Sequence, residues 1–310
     1  VERIGLLDGL ELLSPYPAAI MEDALLVADL HLGIEEDLEL QGIHVPYDIS
    51  GEIRNTVLDA LREGGTRRLI VIGDLKHELG SGLRVEYDEV GKLLRGAAEL
   101  GVKTSLVRGN HDNFIAPTVR RLGGEVLQDF AMIDGCCLAH GHADFRPGNR
   151  GCRCLVIGHE HPTVTVMDEV GVKHRFKAFL WGKVDGVETL VLPSPNPLAG
   201  GMPVNEVGAN ELLSPILRRI GVDSFEVYAL EPREAIVHMA TVDALRALLA
   251  PRHRVNGSNV LYRAVRQADH GARSKPMPSA RATIPRWTKY TWRTASSASN
   301  SFSADTASTG

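Results

Sequence analysis

Short apolar runs, each followed by a loop rich in Asp, His and Gly, recur along the first two-thirds of the chain. The runs at 24–28, 68–72, 104–107, 137–139 and 155–157 have strand length and little polar alternation, the pattern of strands covered on both faces. Between some of them the apolar positions change period. Ile53, Val57, Leu58 and Leu61 recur at helical spacing, as do Val90, Leu93, Leu94 and Ala97, and predict two amphipathic helices. Gly64-Gly65 and Gly101 stand where those helices should stop. After Gly123 the pattern is mostly that of strands, at 164–167, 174–178 and 188–192, separated by Asp/Gly turns. Residues 225–230 predict one more strand and 242–249 a short amphipathic helix. Ahead of both, Pro193-Ser-Pro-Asn-Pro-Leu-Ala-Gly-Gly201 fits neither strand nor helix and is expected to be an ordered loop or a linker. The chain is therefore mixed α/β, with its polar residues at the carboxyl ends of strands, where open α/β sheets place their ligands.

Composition narrows the class. The 310 residues are 44% hydrophobic and 24% charged, values of a globular protein, and a core of that size needs no disulfide staples. No apolar run reaches the ~18 residues of a membrane span, and residues 1–17 lack the basic-then-apolar order of a secretory leader. The cysteines, Cys136-Cys137 and Cys152-x-Cys154, do not have the C-x-x-C spacing of zinc ribbons or thioredoxin-like sites. They are expected to be buried thiols acting as small hydrophobes, which points to a reducing, cytoplasmic setting. Charge divides the chain unevenly. Residues 251–310 hold ten Lys/Arg and two Asp/Glu, a net of +8, so the first 250 residues carry −5 − 8 = −13. The tail keeps no apolar period and ends in Ser, Ala, Thr and Asn, so it is expected to be disordered. Its Trp287, Tyr290 and Trp292 among basic residues leave a nucleic-acid arm as the alternative. The expected division is a catalytic domain at 1–232, a short C-terminal helix at 233–250 and the basic tail at 251–310.

Seven of the twelve histidines crowd into the strand-end loops. The segments are Asp29-Leu-His31, Gly73-Asp74 with His77 just beyond, Gly109-Asn-His-Asp112, His140-Gly-His142 and Gly158-His-Glu-His161. A single histidine after a strand is usually structural. Asp, Asn and His returning after five apolar strands have no packing explanation, because buried carboxylates need compensating positive charge and metal ions supply it.

The ordered set D-x-H, G-D, G-N-H-D, H-G-H, G-H-x-H resembles the calcineurin-like metallophosphoesterases, over about residues 24–162. The resemblance implies an α/β sandwich of two facing mixed sheets flanked by helices. It assigns Asp29, His31 and His161 to one metal and Asn110, His140 and His159 to a second, with Asp74 bridging. His111 is then an acid beside the substrate, with Asp112 a candidate to orient it. His77 is a residue that could line the site or close a turn, and His142 is left outside the ligand set. Two divalent cations are implied, manganese first and zinc or iron as alternatives, since N/O ligands without thiolate suit all three. Asp29-Leu-His-Leu-Gly33, Gly73-Asp-Leu-Lys-His77 and the loop from Leu192 to Gly201 resemble a prokaryotic subgroup related to the SbcD nuclease subunit and the ligase-associated endonuclease PdeM. That subgroup implies cleavage of DNA phosphodiesters in repair. A phosphodiesterase or phosphatase of small nucleotides would use the same metals, and the acidic body does not favour tight duplex binding. A catalytically silent scaffold is the third possibility; scaffolds lose ligands, and every motif residue is present here.

Overall fold

Two β-sheets face each other, and the alternation of side chains along their strands divides the apolar residues into three layers. The computed structural model describes residues 1–249 apart from Glu169. The first sheet has seven strands in spatial order β1 to β7: β1 Glu2–Leu7, β2 Leu10–Ser14, β3 Ala19–Met21, β4 Ala24–Val27, β5 Arg68–Ile72, β6 Lys103–Val107 and β7 Glu125–Leu127. The first four form an antiparallel meander, and β4 to β7 run parallel. Parallel neighbours need crossover connections, and here these carry α1 Ile34–Leu40, α2 Ile49–Gly64, α3 Arg84–Glu99 and α4 Ala116–Arg121. Asp48 caps α2 by accepting from the Gly51 amide at 2.7 Å, and Gly65 ends it in the left-handed region at φ 63°; both are the end signals such a helix requires.

The second sheet is built from β8 Phe130–Ile133, β9 Cys136–Ala139, β10 Cys154–Ile157, β11 Pro162–Met167, β12 Lys173–Val184, β13 Val187–Val191, β14 Met202–Pro203, β15 Glu226–Glu231 and β16 Ala235–Thr241. Its order is β14-β11-β12-β13-β10-β9-β8, with β15 and β16 paired beside β12. Helices α5 Pro215–Ile220 and α6 Val242–Leu249 complete the helices of the described residues.

Because successive residues of a strand point to opposite faces, one strand serves two layers. Leu25 and Val27 of β4 pack with Ile53, Val57 and Leu93 of the helices, whereas Ala24 and Leu26 pack with Leu138, Val156 and Phe179 of the facing sheet. On the far side, Leu155 and Ile157 of β10 meet Ile216, Val242 and Leu245. Each fully buried Leu or Val contributes roughly 1.5–3 kcal/mol. The architecture is a helix–sheet–sheet–helix sandwich, as the motif resemblance implied.

Several elements differ from expectation. Residues 233–250 hold the strand β16 before α6, where a single short helix is expected, and Val242 and Leu245 of α6 belong to the second-sheet core. The basic tail at 251–310, including its aromatic residues, lies outside the described residues.

The cysteines require a correction. They are buried as expected, but they are not thiols: Cys136 is bonded to Cys154 and Cys137 to Cys152. Register explains the first pair, since Cys136 and Cys154 are direct partners on the parallel strands β9 and β10. Cys137 faces the opposite side and reaches Cys152 just ahead of β10. The cysteine argument for a reducing compartment therefore falls, because disulfides belong to oxidising settings or to the cells of hyperthermophiles. Among the described residues no helix is long and apolar enough to cross a membrane. Protein denatured without reductant should release no titratable thiol. Reduction in denaturant should then lower the unfolding free energy by about 2–5 kcal/mol per bridge, read as a shift of the urea midpoint.

Candidate metal centre

Five chain segments leave the carboxyl ends of β4, β5, β6, β9 and β10 and converge on one spot. They bring together six of the seven residues that the motifs marked as ligands, and the seventh, Asn110, stands between Gly109 and His111, both of which adjoin Asp74. Two glycines explain why the motifs read G-D and G-N: a Cβ on Gly73 would lie 2.2 Å from His140 Nδ1, and one on Gly109 would lie 2.2 Å from Asp74 Oδ1. Neighbouring loops can approach this closely only without those side chains.

The backbone here is bent for the purpose. Among the described residues ten that are not glycine have positive φ, and five of them are Asp29, His31, Asp74, His159 and His161. Such conformations cost of order 1–3 kcal/mol each and persist only where the surroundings enforce them. The surroundings do so through hydrogen bonds. The amides of Asp29, His31 and Leu32 donate to the carbonyls of Gly73, Asp74 and Leu75 at 3.0, 2.9 and 3.1 Å.

Donor atoms form three groups: two with a carboxylate, Asp29 with His31 and His161 and Asp74 with His140 and His159, and a third of imidazoles alone, His31 with His77 and His111. Asp74 Oδ2 lies 3.1 Å from His140 Nε2 in its own group and 3.7 Å from His31 Nε2 in that of Asp29, so it stands between them. Two of the imidazoles are oriented by their second nitrogen. His140 Nδ1 donates to the Ile72 carbonyl and His161 Nδ1 to that of Gly200, both at 3.0 Å, which turns the Nε2 atoms inward. His161 Nε2 then faces His31 Nε2 at 3.3 Å, and His140 Nε2 faces His159 Nδ1 at 3.2 Å. Facing nitrogen lone pairs repel unless a proton or a cation lies at them. Asn110 Oδ1 is buried with no hydrogen-bond partner, an orphaned oxygen acceptor of the kind a cation would satisfy. This donor set fits divalent cations.

Electrostatics agree. Burial alone would raise Asp29, but His161 and His140 outweigh it and hold the carboxyl below its ordinary range. Asp74 is likewise lowered against its burial, by His140, His31 and His111. Burial would lower His140, yet Asp74 and Asp29 push it up to about 9, and Asp29 raises His161 against its burial in the same way. His31 falls to about 3, through burial and then the charge of His161, and His159 to about 4, through burial and then His140. A cation entering here meets two ionised carboxylates and imidazoles whose protons it can displace.

His111 sits outside the two carboxylate-bearing groups and shares the third with His31 and His77. Its amide donates to Asp74 Oδ1 at 3.0 Å, its Nδ1 donates to the His77 carbonyl, and its Nε2 lies 3.9 Å from Asp74 Oδ2. Asp112, expected to orient His111, makes different contacts. Its carboxylate accepts from the amides of Asp74, Leu75 and Gly109 at 2.8, 2.9 and 2.7 Å and so fixes the backbone that carries Asp74. The group that orients His111 is the His77 carbonyl, which the sequence did not mark. His77 is itself held by a loop folded around two buried side chains. Lys76 Nζ donates to the carbonyls of Glu78 and Gly80, and Glu86 accepts from the amides of His77, Glu78 and Leu83. The His77 ring meets His31 Nδ1 at 3.4 Å and Asp37 Oδ2 at 3.6 Å, so it lines the site. His142 stays outside the two donor groups, 5.4 Å from the His140 ring. His44, His174 and His238 pair with exposed carboxylates elsewhere, and His253 and His270 lie outside the described residues.

No protein-family model matches the chain, and no curated protein matches it in sequence. Solved structures do match. Nuclease MPE from Pseudomonas putida aligns with a TM-score of 0.55 at 20% identity, over 77% of this chain and 99% of that one. The phosphoesterase YfcE from E. coli aligns with a TM-score of 0.36 at 17% identity, over 70% of this chain and 98% of its own. Vps29 from Entamoeba histolytica, solved with zinc, aligns with a TM-score of 0.30 at 18% identity, over 69% and 98%. Two facing mixed sheets, the helices that flank them and the alignment with the Pseudomonas putida enzyme together show that this chain has the calcineurin-like metallophosphoesterase fold.

Proposed function

We propose that the protein is a metal-dependent phosphoesterase that hydrolyses phosphodiester bonds, with DNA as its substrate. The observation that carries the proposal is the pair of donor groups meeting at Asp74, with His111 Nε2 at their edge. Asp29, His31 and His161 would hold one cation, and Asn110, His140 and His159 the other, with Asp74 shared. Bound there, two divalent cations supply Lewis-acid polarisation of a phosphoryl group and acidify water at neutral pH; manganese is the first choice for this N/O donor set, with zinc or iron next. The chain's own residues do the rest. Because His111 Nδ1 is committed to the His77 carbonyl, Nε2 is the atom that can hold a proton for the leaving oxygen. As water oxygen bonds to phosphorus and the ester P–O bond breaks, that proton passes to the departing alkoxide. Asp112 keeps Asp74 in register, and the Lys76–Glu86 loop keeps the His77 carbonyl beneath His111.

The choice of DNA rests on the loops that resemble the SbcD- and PdeM-related subgroup, and on the nuclease activity named for the Pseudomonas putida enzyme. Labelled single-stranded DNA, duplex DNA and a cyclic dinucleotide should be tested in parallel with protein reconstituted with Mn²⁺, Zn²⁺ or Fe²⁺. Cleavage of DNA in preference to the dinucleotide is expected. Turnover of the dinucleotide alone would move the substrate to small nucleotides, and inertness with every ion would end the enzyme proposal.

A further inference from the structure

The proline-rich segment that the sequence left as a loop or linker is neither idle nor remote. It runs from the end of β13 to the start of β14 at the edge of the candidate centre. Three successive carbonyls of the ligand-bearing turn point into it. Ser194 Oγ donates to Asp29 O at 2.7 Å, and Asn196 Nδ2 donates to both Leu30 O and His31 O at 3.0 Å. Asn196 is fully committed, because its Oδ1 accepts from the Leu198 amide at 2.9 Å, so its amide has only one satisfactory orientation. At the far end of the segment, Gly200 O receives the Nδ1 proton of His161. Beneath it, the ammonium of Lys177 on β12 donates to Ser194 O and Asn196 O. Ser194 and Asn196 are buried.

The distribution of these bonds is uneven. All three side chains of one donor group, Asp29, His31 and His161, depend on this segment for backbone or ring orientation. None of Asp74, His140 and His159 receives a hydrogen bond from it: His140 is oriented by Ile72 O, and the His159 amide donates to Asp29. The left-handed turns at Asp29 and His31 explain the need. Their amides are tied to the loop after β5, and their carbonyls turn the other way: without Ser194 and Asn196 the Asp29 carbonyl would lose its hydroxyl partner, and the His31 carbonyl would keep only the Ile34 amide at 3.3 Å.

We infer that Ser194 and Asn196, anchored by Lys177, are positioning residues that set the affinity of the Asp29/His31/His161 cation site selectively over its neighbour. The inference rests on the metal reading of the centre. Partners behind metal ligands are worth about 10–100-fold in affinity, and that loss should fall on one site of two.

Calorimetric titration of chelator-stripped protein with Mn²⁺ tests it. Wild type should take up two cations. Ser194→Ala and Asn196→Ala should keep one with unchanged affinity and bind the other about 10–100-fold more weakly. Ser194→Thr, which retains the hydroxyl, should restore it. His140→Ala, which removes a ligand of the other group, should spare the site that Ser194→Ala weakens, so the double variant binds neither cation tightly. Circular dichroism and the unfolding midpoint show whether each variant is folded. Should Asn196→Ala not fold, the single hydroxyl lost in Ser194→Ala still decides the matter. Two sites weakened equally, or two unchanged sites in a folded Ser194→Ala protein, would overturn the inference. A wild type that binds no cation would instead overturn the metal reading itself.

Discussion

Asp74→Asn leaves the protein with fewer than two cations and almost no activity. The carboxylate is buried, and one of its oxygens lies within 3.7 Å of nitrogens from both donor groups. An amide keeps the shape but gives up the charge, and in one of its two orientations it turns an N–H toward the imidazole nitrogens. A shared anionic ligand is what holds two cations at bridging distance, and their stabilisation of the transition state is worth several kcal/mol. At about 1.4 kcal/mol per tenfold, the loss is roughly three orders of magnitude in rate. Elemental analysis of the purified variant, beside its rate on a DNA substrate, checks both parts. Two retained cations with full activity would remove Asp74 from the bridging position.

His111→Ala separates acid from ligand. The imidazole is anchored through Nδ1 to the His77 carbonyl and lies outside the two donor groups that contain a carboxylate, so the variant should keep its cations, whereas His140→Ala and His159→Ala should not. Rate should depend on the leaving group. A sugar alkoxide needs a proton as it departs, so DNA cleavage should slow by about 10²–10⁴-fold. Nitrophenolate leaves without help, so an activated aryl diester should lose far less. Both rates are measured on one preparation, and any misfolded fraction cancels in their ratio. Equal losses would remove the acid role, and a lost cation would move His111 into the ligand set. His77→Ala provides a contrast, because it keeps the carbonyl that orients His111 and should spare the leaving-group dependence.

How much of this the sequence revealed depended on whether a residue's partner was its own neighbour in the chain. Strand β5 was predicted residue for residue, Arg68–Ile72, because a strand covered on both faces reads as an unbroken apolar run. The seven ligand candidates were visible because each follows such a run within a few residues. By contrast β16 has one buried residue, Ile236, among seven, and β1 has none among six, so no hydrophobic period announced them. Four cysteines permit three pairings, and only the register of β9 against β10 distinguishes them. The motif resemblance made Asp112 a candidate to orient His111, yet its carboxylate turns to the amides of Asp74 and Leu75. Ser194 and Asn196 were seen only as parts of a stretch that could not be helix or strand. Their partners lie 165 and 166 positions away, beyond the reach of any local pattern.

Those separations also govern when the centre can exist. A ribosome adding about 5–20 residues per second makes Ser194 roughly 10–30 seconds after Asp29. In that interval β4, β5 and β6 can form with their crossover helices, which are local in sequence, and present Asp29, Asp74 and Asn110. His140, His159 and His161 arrive later, and the hydroxyl and amide that support the turn at Asp29 arrive last. A nascent chain can therefore offer carboxylates to a passing cation well before it can retain one. During the same interval Leu10, Leu12, Met21, Leu26, Ile70 and Ile72, which face the second sheet in the finished molecule, have no cover. Metal loading and the burial of that sticky face are thus one late event, and the half-made protein is the form most in need of a chaperone.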